Sequence, residues 1–189
     1  MKNNRTITAI IISSVVFTTT LFADSFSGQL TLEPNWVHSK LQGASTVRET
    51  FADFVDWTHT TGTNANQMNV IVRETTTLTN SQSRTINLSG GVSDSFGDVS
   101  TFQTVRFFCV TCPSTNTNNL SIGNASSNQW AAWAGATNDT LTVRPGGSMI
   151  LIAPDATGYA VTTNACNLSF TNLGTNTITY SSYIGGAEQ

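Results

Sequence analysis

Two cysteines with C-x-x-C spacing, Cys109 and Cys112, are the residues whose pattern most directly suggests chemistry. Such a pair binds zinc when a second ligand pair is present, or exchanges thiols when a helix begins after the first cysteine. The two histidines, His38 and His59, lie far upstream, and the cysteine pair falls at the end of a predicted strand. Residues i and i+3 of a strand point to opposite faces. We therefore expect neither metal nor redox chemistry at this pair.

The third cysteine, Cys166, makes the number odd, so at most one internal disulfide can form. Cys109 is interpreted as a small buried apolar residue. Cys112 and Cys166 each lie at a strand edge near a loop, so they are the candidate pair for a disulfide in an oxidising compartment. The connectivity itself is not readable from a sequence.

Trp130 and Trp133, in the segment NQWAAWAG, are the candidate binding residues. Together with Trp36 and Trp57 they could form an aromatic platform on which sugars stack. In the alternative, one ring is in the core and the other covers a sheet edge or a subunit interface. The alternative is favoured because tryptophan is highly buried on average.

Acidic residues next to turns raise the question of a metal or catalytic site. Calcium takes six to eight oxygen ligands, and a glycosidase needs two carboxylates across a cleft. Asp94, Asp98, Asp139 and Asp155 are better explained as turn formers. The sequence also lacks a G-x-S-x-G elbow and a phosphate-binding glycine loop. We therefore expect a protein that is not an enzyme and that has no cofactor or metal.

Composition limits the classes of partner. The chain has 189 residues, of which 10% are charged, and its formal net charge is -3. Its lysines are Lys2 and Lys40, so the basic stripe that releases counterions from nucleic acid is absent. Threonine, asparagine and serine make the surface hydrophilic without charge and suit strands and turns.

The N-terminal residues have the layout of a secretory signal peptide. A short basic start, Met1 to Arg5, precedes a mostly apolar stretch from Ile7 to Phe22, and Ala23 stands before Asp24. The apolar stretch is diluted by threonine and serine, so a β-branched N-terminal strand or arm is the alternative. Residues 1–23 are accordingly a probable leader or arm, and residues 25–189 the folded domain.

Strand patterns separated by turn residues recur about every 8–12 residues, as in an all-β domain. The segment 138–158 is the most informative example. Alternating residues up to Val143 precede Arg144-Pro145-Gly146-Gly147, and an apolar run follows from Met149 to Ala153. We interpret it as a hairpin with one half-buried and one fully buried strand. The fold class expected is all-β: a single antiparallel β-sandwich or jelly-roll-like domain over residues 25–189.

Several of these segments, in this order, carry a resemblance to a known family. They are TGTNANQ at 61–67, INLSGGVSDSFGDVSTFQTVRF at 86–107, NTNNLSIG at 116–123, the segment 139–162, and LSFTNLGTNTITYSSYIGG at 168–186. With them the chain resembles small β-rich structural proteins of tailed bacteriophages and environmental phage. Their order and spacing extend over about two-thirds of the chain, and they are turn and strand motifs rather than a catalytic signature. A signal-like leader and cysteines at loop edges depart from the family pattern.

The resemblance implies a virion structural protein of the capsid-decoration, head-fibre or tail-associated kind. Its partners would be capsid or tail proteins, and it would form a homo-oligomer, plausibly a trimer, that buries edge strands. The alternative is an exported bacterial adhesin or glycan-binding module with Trp130 and Trp133 at the ligand face. A secreted hydrolase is a third, weaker hypothesis. The location would be the virion, or the exterior of a cell if the leader is cleaved.

Overall fold

The structure is a computed structural model, and it describes residues 6–11, 15–20, 27–32, 35–42, 45–52 and 55–188, with side chains for 27–32 and 55–188. Every regular element in these ranges is a β-strand, so the predicted all-β class is confirmed. No helix among the described residues is long and apolar enough to cross a membrane. The chain divides into two compact units, Met1–Thr61 and Gly62–Gln189.

The first unit consists of antiparallel strands. Its strands are β1 (Thr6–Ile11), β2 (Val15–Thr20), β3 (Ser27–Leu32), β4 (Asn35–Gln42), β5 (Ser45–Ala52) and β6 (Val55–Thr61). They pair in the order β1-β2-β3-β6, and β4 pairs with β5 as a separate hairpin. β1 and β2 fall within the predicted leader, whose remaining residues lie outside the described ranges. Cleavage of the leader and a single domain over 25–189 both stay predictions.

The second unit contains eleven strands. They are β7 (Gln67–Met68), β8 (Val70–Leu78), β9 (Ser83–Asn87), β10 (Ser89–Ser93), β11 (Val99–Thr111), β12 (Leu120–Gly123), β13 (Thr140–Val143), β14 (Ser148–Ile152), β15 (Tyr159–Ala160), β16 (Asn167–Asn172) and β17 (Ile178–Glu188). The strand predicted to end at the cysteine pair is β11, with 13 residues. Residues 129–134 form no strand, and Gln129 makes an isolated bridge to Asn167.

Two four-stranded antiparallel sheets face each other in the second unit. The first sheet has the order β8-β17-β11-β14, and the second has the order β9-β16-β12-β13. Along the chain, β9 lies between β8 and β11, the hairpin of β12 and β13 lies between β11 and β14, and β16 lies between β14 and β17. This is the strand order of a jelly roll, in which two Greek keys build a double sheet. β10 and β15 add short pairings to β11.

Aromatic side chains fill the space between the two sheets. Phe108 of the first sheet contacts Phe170 of the second, with ring centroids 6.4 Å apart. Phe170 stacks on Tyr180 at 4.7 Å, and Trp130 meets Phe108 edge-on at 6.1 Å. All of these side chains are buried, in a cluster with aliphatic residues from both sheets. Along β16 the core residues Leu168 and Phe170 alternate with Ser169 and Thr171, which is the period of two that a strand with one face in the core requires.

Buried asparagine side chains close the end of the sandwich where β16 ends. The Asn172 amide donates to the backbone carbonyls of Leu78, Thr79 and Asn176. Asn116 bonds both the carbonyl and the N–H of Thr179. The amide groups supply partners for backbone atoms that the strand ladders leave unpaired. The asparagine-rich turns of the sequence therefore have a structural role at this end.

The segment 138–158 is not a hairpin, which corrects the interpretation from the sequence. β13 pairs with β12 in the second sheet, whereas β14 pairs with β11 in the first. The turn between them crosses from one sheet to the other, and the Gly147 N–H donates to the Arg144 carbonyl at 2.8 Å. β14 is partly rather than fully buried, because it lies at the edge of the first sheet. Strand periodicity could not distinguish the two cases, since both need two strands and a tight turn.

Gly146 occupies the left-handed region, with φ of 74°, at the third position of that crossing turn. We expect Gly146→Ala to lower the free energy of unfolding by about 1–2 kcal/mol, because a Cβ is unfavourable there. Denaturant unfolding of both proteins measures the difference. Gly135→Ala is the control, since Gly135 has no positive φ and its Cβ would meet the nearest atom at 3.4 Å. Equal loss in both variants would contradict the prediction.

Candidate functional site

Trp130 lies in the core between the sheets. Its side chain is 0% exposed, and its indole N–H donates to the Ala160 carbonyl at 2.9 Å. Tyr159 meets the indole edge-on, at 6.4 Å between ring centroids. Trp130 is therefore a structural residue that joins the loop before β16 to β15.

Trp133 is partly buried and packs against the same core cluster. A Cβ on Gly123 would lie 3.3 Å from its ring, so the ring rests against the end of β12. Trp130 and Trp133 do not form a stacking platform, because the ring of Trp130 has no accessible face. Trp57 lies on β6 of the first unit, and the side chain of Trp36 is outside the described residues. The sugar platform suggested by the sequence is thus not formed by this pair.

All three cysteines are buried free thiols. Burial raises the pKa of Cys109 to about 12 and that of Cys112 to about 11, and it also raises the pKa of Cys166. The Cys166 thiol donates to the Thr163 carbonyl. The interpretation of Cys109 as a buried apolar residue is confirmed by its 1% exposure.

The candidate disulfide between Cys112 and Cys166 is not formed, because the two residues lie at opposite ends of the sandwich. The Leu88 N–H donates to the Cys166 carbonyl, and the Phe102 N–H donates to the Leu88 carbonyl. Cys166 is therefore linked through Leu88 to Phe102 by two successive backbone hydrogen bonds, which places it near the start of β11. Cys112 follows the end of β11, about 33 Å further along the strand at ~3.3 Å per residue. A disulfide needs Cα atoms within about 7 Å.

The thiols should stay unreacted in the folded protein. Their raised pKa values keep them protonated at neutral pH, and the thiolate is the reactive form. We expect the intact mass to be the same with and without reductant. Iodoacetamide should label the three cysteines only after unfolding in guanidinium. A gain of two hydrogen masses on reduction would contradict the free-thiol state.

Arg106 is a buried residue that the sequence analysis did not single out. Its side chain is 1% exposed, although it lies in the middle of β11. The guanidinium donates to the backbone carbonyls of Thr63, Asn64 and Gln67 in one loop and to that of Ala156 in another. Desolvation lowers its pKa, and Asp155 opposes that shift. One charged side chain therefore organises the loops 62–67 and 154–158.

A β-bulge directs Arg106 toward these loops. Val105 pairs with Gly186 and Phe107 pairs with Gly185, so Arg106 is the extra residue in the ladder. A bulge re-aims the side chain it carries. The Asn66 N–H also donates to the Pro154 carbonyl at 2.7 Å, which joins the two loops directly. The signal in the sequence was an arginine within the apolar run VRFFCV, since a buried charge needs specific partners.

Arg106→Ala should destabilise the second unit by about 3 kcal/mol or more, because it leaves several buried carbonyls without a donor. Urea unfolding measures the loss, and limited proteolysis should show new cleavage within 62–67 and 154–158. Arg144→Ala is the matched control: Arg144 is exposed, so its loss should cost less than about 0.5 kcal/mol. Equal stability of the two variants would overturn this role.

β8 is the terminal strand of the first sheet, and β9 is the terminal strand of the second. Between them runs a groove of about 570 Å³, which we call the edge groove, lined by Glu74, Thr75, Thr76, Thr77, Leu78, Gln82, Ser83, Arg84 and Thr85. The carboxylate of Glu74 accepts a hydrogen bond from Arg84 across the groove, and this bond raises the pKa of Arg84. The pair is exposed and contributes little stability.

A second, smaller groove of about 310 Å³ shares Glu74 and Arg84 with the edge groove. Its other lining residues are Val72, Arg73, Gly91, Val92 and Ser93. We call it the arginine groove. Arg73 lies over the Tyr183 ring, 5.5 Å from its centroid. This groove combines two arginines and one carboxylate with two valines.

The loop between β10 and β11, residues 94–98, and the first residue of β11, Val99, expose apolar side chains. Phe96 is 56% exposed and Val99 is 65% exposed. An Asp94 carboxylate oxygen accepts from the N–H groups of Phe96 and Asp98, at 2.8 and 3.0 Å. Asp139 and Asp155 bond backbone N–H groups in the same way, which confirms these three as turn formers. The described residues contain no group of three or more histidine, cysteine or acidic side chains placed to hold a metal.

No protein-family model, curated protein or solved structure matches this chain. Among the described residues, the second unit is a jelly roll whose strand β8 pairs on one side only, and it carries the edge groove, the arginine groove and the exposed loop that follows β10.

Proposed function

We propose that this protein is a non-enzymatic structural component of a virion, of the capsid-decoration, head-fibre or tail-associated kind. The proposal is that it acts by assembly with capsid or tail proteins and with copies of itself. The observation that carries it is the exposed edge of the jelly roll. β8 is nine residues long. It is the terminal strand of the first sheet and lies beside the edge groove.

An unpaired edge strand is a site for adding a further strand, and monomeric proteins usually protect such edges. Here the protection is limited to Arg73 and Glu74, whereas Thr75, Thr76 and Thr77 follow without charge. Jelly rolls serve in viral capsids and in lectins, so the fold alone does not decide between these classes. The motif resemblance favours the virion, and the low charge of the chain suits close packing against protein neighbours.

A second proposal is an exported glycan-binding module. Its support is the edge groove, whose lining is rich in hydroxyl and amide side chains. The tryptophan pair no longer supports it. Glycan-array binding that is lost in Glu74→Gln, with the fold intact, would favour this function over assembly.

Purified particles test the virion proposal. Peptides of this chain should copurify with capsid proteins through a density gradient and remain after a salt wash. Mass spectrometry of the mature N-terminus, in the same sample, shows whether residues 1–23 are retained. Recovery only from culture supernatant, starting near Asp24 and free of particles, would count against a virion role and for export.

A further inference from the structure

The segment 94–99 presents its apolar side chains on an ordered turn. The Asp94 N–H donates to the Asp98 carbonyl at 2.9 Å, and the Gly97 N–H donates to the Asp94 carbonyl at 3.3 Å. Because the turn is already ordered, little conformational entropy is lost when a partner covers the exposed Phe96 and Val99, and this favours binding. Two carboxylates, Asp94 and Asp98, flank the aromatic ring. We call residues 94–99 the acidic tip.

The arginine groove has complementary chemistry. Arg73 and Arg84 carry two positive charges against the one negative charge of Glu74. Val72 and Val92 also line it, but both are core residues, 5% and 8% exposed, so the groove presents little apolar surface. Its volume of about 310 Å³ exceeds the ~150 Å³ at which a protein cavity already holds a benzene ring. The groove can therefore accept an aromatic side chain that arrives with acidic neighbours.

We propose that the acidic tip of one copy of this chain docks in the arginine groove of a second copy. Phe96 enters beside Val72 and Val92, and Asp98 approaches Arg73. The inference deepens the proposed assembly function by naming the partner and the contact, and it rests on that function. Tip and groove are different surfaces, so two copies can exchange them reciprocally in a two-fold dimer, or the contact can repeat head to tail and close into a ring when the rotation allows.

The charges and exposures favour a second copy over other occupants. Two carboxylates beside Phe96 oppose insertion into an anionic lipid surface. Phe96 does not occupy the arginine groove of its own chain, since its side chain remains 56% exposed. Ser93, which lines the groove, directly precedes Asp94. A copy that offers the tip therefore carries its own groove close by, and both can be used in one assembly.

Sedimentation velocity of the purified full chain, over a concentration series, tests the apolar part. The wild type should sediment above the monomer mass at high concentration. Phe96→Asp should weaken the association by roughly tenfold or more, as loss of a central aromatic anchor does. Leu173→Asp is the matched control, because Leu173 is also 56% exposed but lies after β16, away from both surfaces. Its association should equal that of the wild type.

Charge reversal tests the proposed contact between Asp98 and Arg73. Both residues are outside the hydrophobic core, so the substitutions do not disturb core packing. Asp98→Arg alone and Arg73→Asp alone should each weaken self-association. The double variant should recover most of it, because the ion pair is re-formed in reverse. Added salt should weaken the wild-type contact, since exposed charges are screened. Thermal melts that match the wild type show that each variant is folded.

Three results would overturn the contact. They are a monomer up to roughly 100 µM, which corresponds to an association weaker than about -5.5 kcal/mol; equal weakening by Phe96→Asp and Leu173→Asp; and no recovery in the charge-reversed pair. Failure of the virion role is a separate result. In that case the chain would be missing from purified particles while self-association through the acidic tip persisted.

Discussion

The fold depends on burial of two apolar sheet faces against one another. Phe108 and Tyr180 from the first sheet and Phe170 from the second meet in one aromatic cluster, which Trp130 completes. Removing apolar area from water is the main favourable term in folding, and it scales with the area buried. A chain with so few charges can place threonine and asparagine on the outside without ion pairs. Burial of apolar area also accounts for the position of Trp130, which was a candidate binding residue in the sequence and lies in the core.

Arg106 shows how a charge is accommodated within this apolar structure. Its guanidinium is buried, and backbone carbonyls from two loops accept from both terminal nitrogens, whereas Nε has no partner. This contact gives a physical explanation for the conformation of the Gly-Thr loop at 61–67, which is one of the motifs of the phage resemblance. Three of its carbonyls turn inward to one side chain, and Asn66 takes a positive φ of 56° to allow it. Asn favours that conformation more than most residues.

Several surfaces in the described part of the second unit are open to partners. They include the β8 edge, the edge and arginine grooves and the acidic tip. The edge and tip suit protein contacts, because one offers backbone hydrogen bonds and the other offers apolar anchors on an ordered turn. The jelly roll itself is compatible with several functions, so these surfaces, and not the fold, favour one function over another.

The sequence alone was enough to derive the all-β class, the strand that ends near Cys112, and the turn-forming role of Asp94, Asp139 and Asp155. These depend on local periodicity and on residues whose backbone preferences are strong. Tertiary structure decided the rest. It placed β13 and β14 in different sheets, Cys112 and Cys166 at opposite ends of the sandwich, and Trp130 in the core. It also introduced the bulge at Arg106 and brought Arg84 to Glu74. Each of these features depends on which strands become neighbours in space. The periodicity of a strand shows which of its faces is buried, but it does not show with which distant strand it pairs.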